Sequence, residues 1–308
     1  MRDAFTRALM REAAKDDRLM LVTGDLGFGV LKPFWETYPE QFVNAGIAEQ
    51  SMTGLAAGLA KTGRTVLTYS IGNFPTLRCL EQIRNDCAYH SLNVKVVCVG
   101  GGFVYGSLGM SHHATEDIAV MRSLPNMTVL VPSDAASTRW ATGFAVEKQG
   151  PVYLRLSRDV YPDLYDENTS FECGKGAVVR DGSDVTVIAC GLLVHKAIEA
   201  AEIMAAKGVS VRVVDMYSVK PIDKELILKC AAETGAIVTA EEHNIYGGLG
   251  GAVSEVLAWG GAGVPTEYVG IQDTFTESGP YKELLAKYGV DANGVVAGIE
   301  KVLVRKKK

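Results

Sequence analysis

The sequence has no CxxC pair, no long apolar run and no excess of basic charge, and each absence closes a class of function. Its six cysteines, Cys79, Cys87, Cys98, Cys173, Cys190 and Cys230, are scattered along the chain. Several lie in apolar, strand-like stretches, which predicts buried free thiols and not a disulfide framework or a zinc site. No apolar stretch approaches the roughly 18 residues that span a bilayer. The opening Met1-Arg2-Asp3 leads into an amphipathic pattern and not into a secretory leader. Acidic residues number 36 against 31 basic ones, a formal net charge of -5, so no general field attracts nucleic acid or an anionic membrane. The basic run from Arg305 to Lys308 reads as a solvated tail. The glycines between Gly100 and Gly109 lack GxGxxG spacing and no helix follows them directly, which argues against a dinucleotide loop. No Cys or third His stands at ligand spacing beside His112 and His113, which argues against zinc. A cytoplasmic protein is the expectation.

What is present is a regular alternation. Helical patterns run over 2–15 and 48–61, with strands at 18–23 and 42–43. Strands follow at 65–69, 94–99, 127–131 and 152–156, separated by a helix over 77–90, a glycine-rich loop over 100–114 and a helix from Thr115. Pro132-Ser133 opens the next helix, with Ser133 as its expected N-cap. Strands that alternate with helices imply a largely parallel sheet covered on both faces. The pattern weakens over 161–175, where Pro162, acidic residues and Asn168 collect, and this stretch reads as a linker. A second series follows, with strands at 185–189, 209–214 and 236–239 and helices at 194–207 and 223–234. Gly247 to Gly251 then lead into a helix that ends near Trp259. The 308 residues suffice for two domains. The fold class is therefore α/β, two domains with largely parallel sheets flanked by helices, divided as 1–165 and 176–308. On the helix over 48–61, Met52, Leu55, Ala56 and Leu59 form one apolar face. Gly54, Ala57 and Gly58 let that helix approach a neighbour closely, within this chain or in another.

In parallel α/β sheets, ligands bind beyond the carboxyl ends of the strands, so the loops after strands are the places to look for chemistry. The first is Asn44-Ala45-Gly46-Ile47-Ala48-Glu49-Gln50. Ile47, Ala48 and Met52 give Glu49 apolar surroundings, which favour a carboxylic acid able to share a proton with a ring nitrogen. A first-turn glutamate that simply favours the helix dipole is the plainer reading from position alone. The second loop is Tyr69-Ser70-Ile71-Gly72-Asn73-Phe74-Pro75. An aromatic there stacks on a flat ring or plugs the core, and Arg78, Glu81 and Gln82 offer a polar network beneath it. The third runs from Gly100 to His113. Glycines at this density let a backbone approach something, and adjacent histidines suit proton handling or a polar ligand. The fourth is Arg155-Leu156-Ser157-Arg158. Its two arginines suit an anionic substrate group or, equally, surface ion pairs with Asp159 or Asp163.

Taken in order, these stretches resemble the transketolase family. Asn44 to Gln50 is similar to the G-I-A-E-Q segment of transketolases, deoxyxylulose-phosphate synthases and the β subunits of 2-oxo acid dehydrogenase E1 enzymes. Ser111-His112-His113, followed by Glu116-Asp117, resembles their T-H-Q segment. Ser123-Leu124-Pro125-Asn126-Met127 and Val131-Pro132-Ser133-Asp134 resemble the stretch that follows it, and Leu156-Ser157-Arg158 matches a substrate-proximal L-S-R. Asp215 to Asp223, Glu241-Glu242-His243-Asn244 and Gly247-Gly248-Leu249-Gly250 match the family's C-terminal domain. The likeness runs in the right order over nearly the whole chain.

The resemblance implies thiamine diphosphate and Mg²⁺ as cofactors. It also implies what is missing. A full transketolase begins with a domain that binds the diphosphate and metal through G-D-G and a later pair of asparagines. Gly24-Asp25-Leu26-Gly27 is not that motif. The chain thus resembles the C-terminal subunit of a split transketolase, active only with an N-terminal partner that carries the diphosphate domain and the Mg²⁺ ligands, with two copies of each subunit. By resemblance, Glu49 hydrogen-bonds the aminopyrimidine and favours its imino tautomer, Phe74 stacks on the pyrimidine, and Arg78 belongs to the cofactor site. His112 and His113 contact substrate, with His112 helping to move protons, and Arg158 binds the far end of a sugar or sugar phosphate. Two positions depart from the family. Leu108 stands where an acid usually touches a sugar hydroxyl, and a substrate histidine is replaced within Gly100 to Gly102. The rival expectations are an E1 β subunit, which requires a 2-oxo acid and a lipoyl domain, a deoxyxylulose-phosphate-synthase-like enzyme, and a non-catalytic ligand-binding homodimer.

Overall fold

The computed structural model describes residues 1–306; positions 307 and 308, the end of the basic tail, lie outside the described residues. The strands of the first half are β1 (Leu19–Thr23), β2 (Phe42–Asn44), β3 (Thr65–Ile71), β4 (Val94–Val99), β5 (Thr128–Leu130) and β6 (Val152–Leu156). Those of the second half are β7 (Ala177–Arg180), β8 (Val185–Ala189), β9 (Val211–Asp215), β10 (Ser218–Lys220), β11 (Ile237–Asn244) and β12 (Thr266–Ile271). The helices are α1 (Arg2–Ala13), α2 (Lys32–Thr37), α3 (Glu49–Lys61), α4 (Leu80–Gln82), α5 (Asp117–Ser123), α6 (Ala135–Glu147), α7 (Leu192–Ala205), α8 (Lys224–Thr234), α9 (Leu249–Trp259), α10 (Tyr281–Lys287) and α11 (Ala292–Lys306).

A seven-stranded sheet runs in the order β10-β5-β6-β4-β3-β1-β2, and a five-stranded sheet in the order β12-β11-β8-β9-β7. Pairing is parallel within each except at two edges, where β10 meets β5 and β7 meets β9 antiparallel. The period-two geometry of a strand explains the layering. In β1, Leu19 and Leu21 face Phe5 and Leu9 of α1 and Ala141 and Ala145 of α6. Met20 and Val22 face Met52, Ala56 and Ala60 of α3 on the other side. Both faces of the sheet are thus covered, and β1, β4, β5 and β6 are buried throughout.

The expectation of two domains in series needs one addition: the halves interlock. Strand β10 belongs to the second half but completes the first sheet beside β5. A single apolar cluster joins Ile118 and Met121 of α5 and Val129 of β5 to Ile188 and Val214 of the second sheet, Met216 just past β9, and Leu249 and Val253 of α9. An unpaired β5 would leave a row of open backbone groups, and β10 closes that edge. The stretch expected as a linker, 161–175, has no strand or helix, yet it is pinned. Leu164 and Tyr165 donate their backbone N–H groups to Asp134 Oδ2 at 3.0 and 3.1 Å.

Three local expectations are corrected. The cap of α6 is Asp134, not Ser133. Its Oδ1 accepts the Ser137 N–H at 2.8 Å, closing a capping box, while Ser133 Oγ donates to Asp215 Oδ1 at 2.8 Å. The helix expected over 77–90 becomes regular only at Leu80, as α4, and continues as a π-helix over Ile83–Ala88. The helix expected from Thr115 begins at Asp117. All six cysteines are free, and only Cys173 is not fully buried. Among the described residues no helix is long and apolar enough to cross a membrane.

Candidate active site

The loops after β1, β2, β3, β4 and β6 gather at one end of the first sheet, as a parallel arrangement requires. Glu49 opens α3 and is only 3% exposed. Its Oε2 accepts from Arg78 Nη1 at 2.6 Å, and Gln50 Nε2 holds the Arg78 carbonyl at 3.2 Å. The apolar surroundings expected of Glu49 are therefore interrupted by one guanidinium. Its other oxygen faces Gly24, where a Cβ would come within 3.5 Å of Oε1.

From Arg78 the site continues without a break. The guanidinium lies over the Phe74 ring, 4.4 Å from its centre. The Phe74 ring meets the His112 ring edge-on at 4.9 Å. Asn73 Nδ2 donates to the Ser111 carbonyl at 2.9 Å, tying the loop after β3 to the loop after β4. His112 Nδ1 and Ser111 Oγ are 3.1 Å apart. Tyr105 sits 6.4 Å beyond His112, and Arg158 lies over the Tyr105 ring at 5.7 Å. Glu49, the pair Phe74 and Arg78, His112, and, through Tyr105, Arg158 come from separate post-strand segments and stand in a single row.

Two candidates fall elsewhere. His113 is 2% exposed and turns toward the second half. Its Nδ1 shares a hydrogen bond with Thr276 Oγ1 at 2.7 Å, and its Nε2 faces the Gly106 carbonyl at 3.4 Å. Burial lowers its pKa and favours the neutral ring. His113 is thus enclosed by the second half of the chain, whereas His112 stands beside Phe74. Arg155 is also committed. Its Nε donates to Asp117 Oδ2 at 2.7 Å and its Nη2 to the Ala114 and Glu242 carbonyls at 3.0 and 2.9 Å. Of these two arginines, Arg155 lies buried within β6 and only Arg158, just past its end, is exposed.

The glycine run has a steric cause. A Cβ at Gly100 would stand 2.2 Å from Tyr105 Cε2, one at Gly101 2.5 Å from Arg155 Cζ, and one at Gly102 2.2 Å from Glu242 Cδ. Gly100 and Gly102 also have φ of +81° and +66°. What the backbone approaches is this chain's own side chains, and no room remains there for a substrate histidine. Leu108 is 53% exposed. Tyr105 is absent from the expected site, and Glu242 is expected only as part of a C-terminal motif. Their signals were an aromatic in a glycine-rich post-strand loop and an acidic pair inside an apolar strand. Among the described residues no group of three or more His, Cys, Asp or Glu side chains could hold a metal ion.

Comparison with known proteins gives this arrangement a family. Residues 1–163 match the transketolase pyrimidine binding domain, and residues 174–295 match the transketolase C-terminal domain. A subunit of the apulose-4-phosphate transketolase of Phocaeicola vulgatus is 42% identical over 297 residues, covering 96% of this chain and 94% of that protein. A putative transketolase C-terminal section from Methanocaldococcus jannaschii is 42% identical, over 97% of this chain and 95% of that protein. A solved structure described as a split gene transketolase, inactive beta4 tetramer, superposes with a TM-score of 0.92 at 43% identity, over 99% of this chain and 98% of the other. Domain models over both halves, and relatives matched from end to end, show that the chain belongs to the transketolase family, of which it carries the pyrimidine-binding and C-terminal domains.

Proposed function

We propose that the chain is the C-terminal subunit of a two-subunit, thiamine-diphosphate-dependent transketolase. It would transfer a two-carbon ketol unit from a ketose to an aldose in the cytoplasm, where its free thiols stay reduced. The observation that carries this reading is the continuous row Glu49–Arg78–Phe74–His112 at the carboxyl ends of the strands. Relatives of nearly the same length are named as one subunit of a transketolase and as a transketolase C-terminal section.

The residues fit the pyrimidine end of the cofactor. A flat, aminated ring needs an aromatic face and a carboxylate at its edge. Phe74 offers the first, and Glu49 the second with one oxygen not taken by Arg78. When bound, thiamine diphosphate supplies the means to stabilise a carbanion; the protein supplies orientation and protonation. Glu49 would hold a proton against a ring nitrogen. Arg78 would keep that carboxylate in place while covering one face of Phe74. His112 would bind the substrate's oxygens and pass protons to them, and Arg158 would take an anionic far end. Residues 1–165 would carry the site and 176–308 support it. The diphosphate and Mg²⁺ ligands belong to the proposed partner, with two copies of each subunit. One feature favours completion by another chain. Next to Glu49, α3 exposes Ser51, Gly54, Leu55 and Gly58, and a Cβ at either glycine would meet nothing within 4 Å.

Thiamine-diphosphate binding with and without the co-purified product of a neighbouring gene tests the division of labour. The isolated chain is expected to bind weakly and to lack turnover. Tight Mg²⁺-dependent binding by it alone would sink the two-subunit reading. In the assembled enzyme, Glu49→Gln should lower turnover by about 10²- to 10⁴-fold, the range for a lost proton-transfer group. A loss of only a few-fold would remove Glu49 from that role.

A further inference from the structure

The loop that bears Tyr105 and His112 is closed at its neck by a two-way backbone pair: Gly102 N–H to the Ala114 carbonyl at 2.8 Å and Ala114 N–H to the Gly102 carbonyl at 3.1 Å. The second half of the chain grips this loop around its length. Gly279 N–H donates to the Gly106 carbonyl at 3.0 Å, and, just past the neck, Asn244 N–H donates to the Thr115 carbonyl at 2.7 Å. Thr276 holds His113 at 2.7 Å. At the neck itself stands Glu242 of β11. Its Oε1 accepts the Phe103 N–H at 2.6 Å, and its Oε2 accepts the Tyr281 hydroxyl at 3.2 Å.

Glu242 is 4% exposed, and its carboxyl occupies the space that a Cβ on Gly102 would need. A buried carboxyl costs free energy unless it is hydrogen-bonded. Here each oxygen has a donor, yet an apolar side chain would fill the same volume without that cost. What an apolar side chain would not supply is an acceptor for the Phe103 amide, the first residue of the loop beyond the neck. The amide's direction sets how the loop leaves the neck, and the loop's far end sets where the His112 ring meets Phe74.

We propose that Glu242 is a positioning residue for the reaction: from the second half of the chain it fixes the Phe103 amide, and through it the place of His112. This rests on the role proposed above for His112. The test uses the assembled two-subunit enzyme with Glu242→Ala, Glu242→Gln and Tyr281→Phe, each alone and combined with His112→Ala. Glu242→Ala should lower kcat/KM for the donor sugar about 10- to 100-fold, the penalty expected when a reacting group is displaced by an ångström or so. Thiamine-diphosphate affinity should be unchanged, because Glu49 and Phe74 lie on other loops. Glu242→Gln should recover most of the loss, since its amide oxygen still accepts from Phe103. In the His112→Ala background, Glu242→Ala should add nothing. If Glu242→Ala does not fold, Tyr281→Phe, which removes the hydroxyl that donates to Glu242 and keeps the ring, should show the same non-additivity with His112→Ala at smaller amplitude. A full Glu242→Ala loss in the His112→Ala background overturns the proposal, as does parental activity of Glu242→Ala itself, or additive effects of Tyr281→Phe and His112→Ala. If His112→Ala alone has parental activity, the site reading fails at His112 and takes this inference with it.

Discussion

His112 and His113 are adjacent in sequence and face opposite ways. The loop presents His112 to Phe74 at 4.9 Å and buries His113 against Thr276 and Phe103. Their substitutions should therefore separate. His112→Ala should lower kcat about 10²- to 10⁴-fold, as for a lost acid–base group, with the thermal midpoint unmoved. His113→Ala should strip Thr276 of its partner and cost about 1–3 kcal/mol, the desolvation penalty of an orphaned buried polar group, read from the urea midpoint. Equal loss of stability in both variants would contradict the division. Nothing in the pair of letters distinguishes the two rings. The pair was legible as a candidate because it stands in a loop after a strand; which ring faces the site follows from where the second half packs.

At the scale of elements, the strands were the most legible features, because buried parallel strands read as continuous apolar runs whatever they pack against. Helix starts were less so. Ser133 and Asp134 are both good caps by type, and the choice was made by Asp215, which takes the serine hydroxyl from across the junction. Asp134 then does more than cap α6, since Oδ2 also receives Leu164 and Tyr165. Asp134→Ala should cost about 2 kcal/mol, the upper end for an N-cap, measured by urea unfolding. A cost no larger than that of an exposed cap would mean the linker contacts contribute nothing. The glycine run after β4 makes a second case at this scale. Gly102→Ala combines a left-handed backbone with a 2.2 Å approach to Glu242 Cδ. It should cost about 1–2 kcal/mol for the conformation and about 1–3 for overpacking. A stable, soluble variant would show that the neck can widen.

For the whole molecule, the junction decides more than either half. Strand β10 crosses to the first sheet, and Ser133, Tyr165 and Asp215 meet where the halves and the linker join, with both hydroxyls 2.8 Å from the carboxyl. Burial pushes Asp215 up to about 7, and Glu242 likewise to about 7. A carboxyl whose folded pKa is raised binds its proton more tightly when folded, so its contribution is full below the unfolded value and is lost as pH rises to the folded one. The part of the urea midpoint that these two carboxyls contribute should therefore fall as pH rises from about 4, the ordinary carboxylate value, and level off above about 7. Asp215→Asn should flatten that fall, because an amide does not ionise. An unchanged pH slope in that variant would exclude Asp215 from the effect.

Residue order alone was enough for the class of fold, the family and the loops in which chemistry could sit. Hydrophobic periodicity and short motifs are local, and a local pattern survives whatever surrounds it. It did not determine that Arg155 is consumed by Asp117 while Arg158 is left exposed, or that Tyr105 fills the space beside Gly100. Nor did it determine that β10 and Glu242 fasten one half to the other. Most of those outcomes join residues far apart in the chain, and each depends on which side chains fill a shared space. Only the packed tertiary structure carries that information.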